Sequence, residues 1–129
     1  MCSALASKRA FEGPDAAAAR AWLKAAGVTD AELQRPLVAV VNSWEELAPE
    51  SFHLRMVGDA VKAGVRIAGG TPLEFNTIHV VDAVVMALDG MRGVLPSREL
   101  VADSVEVMVH AHQFDGMVLI ASGDEVVPG

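Results

Sequence analysis

The side chains placed to do chemistry follow apolar runs. Asn42 directly follows Leu37–Val41 (LVAVV), and Asp124 and Glu125 come after Met117–Ala121 (MVLIA), separated from it by Ser122 and Gly123. Asp82 closes the irregular stretch after Leu73–Ile78 (LEFNTI). In an open parallel sheet, ligands bind beyond the carboxyl ends of the strands. If these runs are parallel strands, Asn42, Asp124 and Glu125 converge on one edge, and Asp82 joins them from the loop after the middle strand. Three carboxylates there, Asp82, Asp124 and Glu125, make a hard oxygen set suited to Mg²⁺. The same residues also have a plainer use, as polar loop residues that cap strand ends.

Other reactive residue types carry less. The histidines are His53, His79, His110 and His112. His110 and His112 lie two apart in a helical stretch, where such positions face different sides, so they chelate poorly. His53, in the first turn of a helix, reads as a surface or capping residue. Cys2 lies at a terminus and reads as inert, and Met86, Met91, Met108 and Met117 read as core filler. Gly69-Gly70 and Asp89-Gly90 lack the spacing of the phosphate-binding glycine motifs. No Ser, His and Asp arrangement has a hydrolase signature, and no residue is assigned a catalytic role.

The elements that must position these groups alternate. Pro14 suits the first position of a helix that carries Trp22 and Leu23 and stops at Gly27. Thr29-Asp30-Ala31-Glu32 reads as a short capped turn. Leu37–Val41 has no polar alternation and reads as a strand buried on both faces. A helix over about 51–68 carries the apolar stripe Leu54, Val57, Val61, Val65 and Ala68 and ends at Gly69-Gly70. Leu73–Ile78 reads as a short strand and Ala83–Leu88 as a helical turn. Pro96-Ser97 opens a third main helix, with Ser97 as its cap and Val101, Val105, Met108 and His112 on one face. Met117–Ala121 reads as a second fully buried strand. This order predicts an α/β fold with a mainly parallel sheet. Three helices cover such a sheet only thinly, so residues 1–129 are expected to form a single, incomplete domain that needs more chain or a partner.

Composition sets outer bounds. With 129 residues, 52% apolar and 21% charged, the chain is neither disordered nor a low-complexity fibre. The formal charge is −7 with no basic stretch, so nucleic acid and an anionic membrane are not the expected partners. A single cysteine excludes an internal disulfide and an all-cysteine metal site. The opening residues lack the apolar core of a secretory signal, and each apolar run is far short of the ~20 residues that span a bilayer. A soluble, cytoplasmic protein is the expectation.

Longer motifs point to a family. They begin with Glu12-Gly13-Pro14-Asp15, Ala19-Arg20-Ala21 and Gly27-Val28-Thr29-Asp30, and continue with Pro36 through Glu46 and Ala68 through Ile78. Gly90-Met91-Arg92, the run Leu95 through Glu106 and Ala111 through Gly116 follow. In this order and spacing the chain resembles the amino-terminal portion of dihydroxy-acid dehydratase, from about Glu12 to Gly129. The segment Glu74 through Ile78 is more similar to the branched-chain dihydroxy-acid type than to the sugar-acid type. The resemblance implies the start of a dehydratase amino-terminal domain, a partial three-layer α/β/α unit, and a dimeric hydro-lyase. Such enzymes convert 2,3-dihydroxy acids to 2-keto acids in valine, isoleucine and leucine synthesis, using an iron–sulfur cluster and Mg²⁺.

The resemblance breaks where those cofactors are held. The family's Asn-Cys-Asp-Lys motif reads Ser122-Gly123-Asp124-Glu125 here. Gly123 stands for the cluster cysteine, and Glu125 for the lysine that becomes a carbamylated Mg²⁺ ligand. Asp124 is kept, and Asp82 stands for another Mg²⁺ ligand. Glu50 falls where some members carry a further cluster cysteine. The remaining cluster cysteine and the serine base are expected beyond residue 129. Cluster iron needs thiolates, so no cluster is expected in this chain, while Asp82, Asp124 and Glu125 remain the candidate Mg²⁺ ligands. Three readings follow: a dehydratase-like chain inactive alone, a non-catalytic partner that pairs with itself or with a dehydratase subunit, and a new activity at the three carboxylates. Exposed sheet edges favour a homo-oligomer or a dehydratase complex over a monomer.

Overall fold

The computed structural model describes residues 5–129, so Cys2 lies outside the described residues. Three strands, β1 (Leu37–Asn42), β2 (Thr71–Asn76) and β3 (Gly116–Ile120), form an all-parallel sheet in the order β2-β1-β3. The helices are α1 (Ala6–Phe11), α2 (Ala17–Ala25), α3 (Asp30–Leu33), α4 (Leu54–Ile67), α5 (Asp82–Val85) and α6 (Val94–Ala111), with a 3₁₀ turn at Asp89–Gly93. The predicted α/β alternation is the observed one. Among the described residues, no helix is long and apolar enough to cross a membrane.

The two apolar runs end in different environments. In β1, Leu37, Ala39, Val40, Val41 and Asn42 are all buried, as a central parallel strand requires. In β3 only Ile120 is buried, while Met117 is 52% and Leu119 57% exposed. The expectation of a second fully buried strand is therefore corrected. β3 lies at the sheet edge, and its side chains alternate between two unequal faces. Ile120 joins Val40 and Leu54 in a core completed by Trp44 and Val61. On the opposite side, a groove of ≈ 630 Å³ lies between β3 and α6, lined by Met117, Leu119, Val101, Val105 and Val109.

α4 approaches the sheet through a glycine. A Cβ on Gly58 would stand 2.6 Å from Glu74 Oε1 and 2.8 Å from Asn42 Nδ2. The line of closest approach is thus Leu54, Gly58 and Val61, whereas Val57 and Ala68 of the predicted stripe are exposed. Asn42 Nδ2 donates to Leu54 O at 3.1 Å and to Glu74 Oε1 at 2.8 Å.

Several boundaries move for local reasons. Pro14 lies in a turn whose carbonyl accepts from Ala17 N, and α2 starts after it. The residues before Leu54 form turns, so α4 starts later than expected. β2 starts two residues earlier than predicted, at Thr71, and includes Pro72, which an edge strand tolerates. Ser97 does not cap α6; the helix starts at Val94, and the Ser97 hydroxyl donates back to Val94 O. Pro96 fits inside that first turn, where an N–H has no intrahelical partner. The capping box at Thr29 and Glu32 forms as expected.

α1 was not anticipated, and a distant carboxylate holds it. Asp115 accepts from Ser7 N at 3.0 Å, from the Ser7 hydroxyl, and from Leu37 N at 2.8 Å. One side chain therefore ties the first turn of α1 and the start of β1 to the residue preceding β3. Burial raises the Asp115 pKa, but the summed hydrogen bonds from the Ser7 hydroxyl and the Ser7, Leu37 and Ala6 N–H groups outweigh it and hold the carboxyl below its usual range. Asp115→Asn is expected to cost about 2–3 kcal/mol in urea unfolding at neutral pH, because hydrogen bonds to an ionised acceptor are lost. A depressed pKa gives stability that is complete above the ordinary Asp value of about 4 and fades as the pH falls through the lower folded value. The gap between wild type and variant should therefore shrink below about pH 4.

Candidate functional site

The strands share one carboxyl end. Asn42 is in register with Asn76 on one side and with Ile120 on the other. The chain leaving each strand is then stitched to its neighbour. Thr77 N donates to Asn42 O at 2.9 Å, and Ser43 N donates to Ile120 O at 3.0 Å. The loop after β1 is braced by Trp44, whose backbone N–H donates to Asn42 Oδ1 at 3.1 Å and whose indole N–H donates to Phe52 O at 3.0 Å. The Arg55 guanidinium lies over the Trp44 ring at 5.1 Å from its centroid, a cation–π contact.

The three loops meet at a buried polar group that no spacing in the sequence announces. Ser51, fully buried, has its hydroxyl 2.9 Å from His79 Nδ1 and 3.0 Å from the Ser122 hydroxyl. The His79 side chain is only 3% exposed. Two carboxylates flank the ring, with Glu45 Oε1 3.4 Å from Nδ1 and Glu50 Oε1 3.9 Å from Nε2. Glu45 Oε1 is buried and makes no hydrogen bond. Burial pushes the Glu45 carboxyl up, His79 opposes this, and Glu50 reinforces it. A histidine between two carboxylates can hold a proton at either ring nitrogen. The groove beside α6 does not reach His79, Ser51 or Ser122.

The residues singled out from sequence are distributed differently. Asn42 is buried and spent on α4, Glu74 and the Trp44 backbone. Asp82 begins α5 and accepts from Ala83 N at 2.6 Å. Asp124 is exposed in the turn after β3. Glu125 is next to it, with Oε2 buried, without a hydrogen bond, and 4.0 Å from Arg98 Nη1. Among the described residues, no three His, Cys, Asp or Glu side chains form a group able to hold a metal ion, so Asp82, Asp124 and Glu125 are not gathered into one ligand set. His53, His110 and His112 are exposed.

Positions 50 and 123, matched by resemblance to cluster cysteines, do come together. A Cβ built on Gly123 would lie 3.7 Å from Glu50 Oε1 and 2.8 Å from His79 Nε2. Neither position offers a thiolate, and the imidazole Nε2 stands against both. Cluster iron is held by thiolates, so the residues present do not fit an iron–sulfur cluster. His79, Ser51, Glu45 and Ser122 were all missed from sequence. The only signal they carry is their place in loops that follow strands, the same rule that singled out Asp82 and Asp124.

Comparison with known proteins agrees with this architecture. Residues 35–129 match the family described as dihydroxy-acid/6-phosphogluconate dehydratase N-terminal. Dihydroxy-acid dehydratase 1 of Methanosarcina acetivorans is 57% identical over 118 residues, which is 92% of this chain and 21% of that protein. The dihydroxy-acid dehydratases of Pyrococcus abyssi and Caldicellulosiruptor saccharolyticus are 53% and 55% identical, again over 92% of this chain and 21% of theirs. The chain thus spans about a fifth of the length of the relatives it matches. With its parallel α/β sheet and this similarity along most of its length, the chain belongs to the dihydroxy-acid/6-phosphogluconate dehydratase amino-terminal family.

Proposed function

We propose that this chain is a dihydroxy-acid dehydratase-like α/β domain that does not carry out the dehydration of 2,3-dihydroxy acids to 2-keto acids by itself. The observation that carries this reading is the meeting of positions 50 and 123 around His79, with a carboxylate and a bare Cα where thiolates would be needed. Expelling a hydroxyl from a dihydroxy acid calls for a strong Lewis acid on the departing oxygen. A histidine and two glutamates in a closed polar site can position protons, but they cannot hold an iron–sulfur cluster. The purified chain, after anaerobic incubation with ferrous iron and sulfide, is expected to stay colourless and to form no keto acid from a 2,3-dihydroxy acid. Stoichiometric iron together with turnover would overturn the reading.

Metal at the carboxylates is tested separately. Because Asp82, Asp124 and Glu125 form no three-ligand group among the described residues, Mg²⁺ is expected to leave thermal melting unchanged. A Mg²⁺-dependent rise in melting temperature that disappears in Asp124→Ala would instead establish a site there.

A second reading concerns partners, and the uncovered side of β3 favours it. Among the described residues β3 pairs only with β1, its Met117 and Leu119 are exposed, and the groove beside them is apolar. An open strand edge with apolar side chains invites another strand. The occupant proposed is dehydratase polypeptide corresponding to the part of the relatives that follows the matched fifth. Light scattering of this chain mixed with the Methanosarcina acetivorans enzyme lacking its matched segment should show a one-to-one complex, weakened by Leu119→Lys. A monomer under all conditions would remove this reading, and self-association of the chain alone would assign the face to a second copy.

A further inference from the structure

We infer that His79 and Gly123 form one steric unit that closes the place of the family's cluster, so that returning a thiol to position 123 does not by itself reopen it. This rests on the reading above, that the unmodified chain holds no cluster, and extends it from missing ligands to occupied space.

The distances make the case. Gly123 has φ +81°, a left-handed conformation that residues with a Cβ adopt reluctantly. Its Cβ position lies 2.8 Å from His79 Nε2 and 3.3 Å from Cε1, well inside the normal contact distance between a carbon and a ring atom. The next atom that Cβ would meet is Glu50 Oε1, at 3.7 Å.

The ring has little freedom to yield. Its Nδ1 is anchored by the Ser51 hydroxyl, and Ser51 is held in turn by Ser122. Glu45 stands on the same side of the ring, and Glu50 on the Nε2 side. Swinging His79 away would leave the buried Ser51 hydroxyl without its partner on the ring and take the imidazole from beside Glu45 Oε1, which already makes no hydrogen bond. Buried polar groups resist such losses. The imidazole is therefore a fixed wall, and Gly123 is the residue that fits against it. Positions 79 and 123 have to change together before a side chain at 123 can point into this space.

The test is a double-mutant cycle on the full chain, read by thermal melting: wild type, His79→Ala, Gly123→Cys and the pair. The left-handed backbone penalty at position 123 is present in both backgrounds and cancels, as does the effect of removing the imidazole. Gly123→Cys is expected to lower the melting temperature by about 10 °C beside His79 and by less than about half of that in His79→Ala. Equal losses in the two backgrounds would overturn the coupling. If Gly123→Cys does not fold, recovery of folded protein in the double variant supports the coupling, and equal failure of both overturns it. The two readings fail separately. Stoichiometric iron together with turnover by the unmodified chain would remove the proposed function, whereas additive losses would remove only the steric unit.

Discussion

The parallel run of β2, β1 and β3 is the constraint on which the rest depends. A parallel sheet sends every strand out at the same edge, and the register of Asn42 with Asn76 and Ile120 makes those exits level. Three loops far apart in sequence are thereby forced to share a small volume. They are closed over it by backbone hydrogen bonds from Thr77 and Ser43 and by Trp44 bracing the longest of them. β1 can hold the centre because it is apolar on both faces and tolerates cover on each. Gly58 lets α4 come close enough to bury Asn42 at the strand's end.

What fills that volume is polar, buried and only partly satisfied. Ser51, His79 and Ser122 form a chain of hydrogen bonds with the ring at its end. Glu45 contributes a buried oxygen with no hydrogen bond, and its raised pKa follows first from that burial. Native interiors rarely leave such an atom unpaired, and clusters of perturbed groups concentrate at functional sites. In this chain the cluster stands at the edge where α/β proteins bind ligands, yet it is packed shut around His79. The edge is therefore filled by a closed polar group that offers no thiolate.

The two faces of the sheet are unequally covered. α4 lies against the core built on Val40 and Ile120, whereas α6 leaves a groove over Met117 and Leu119. Uncovered apolar surface next to a free strand edge is the usual mark of an interface. That the relatives are about five times as long as this chain is the basis for the occupant proposed above.

Local chemistry in the sequence was enough to determine much of this protein. The β-branched run of β1, the Thr29–Glu32 box, the stop at Gly27 and the alternation of helix and strand all depend on neighbours within a few residues, and all appear in the structure. So did the family, because its motifs are contiguous. Burial of β3 was not legible, since an apolar strand cannot specify what covers it. α1 was not legible either, because its anchor is Asp115, more than a hundred residues away. The candidate site was legible only as a place. The strand-end rule located the edge, but Asp82, Asp124 and Glu125 carry no information on whether their oxygens meet. Only tertiary structure brought His79 against Ser51, Glu45, Glu50 and Gly123, because their contacts depend on the register of three strands and on the path of the loops between them.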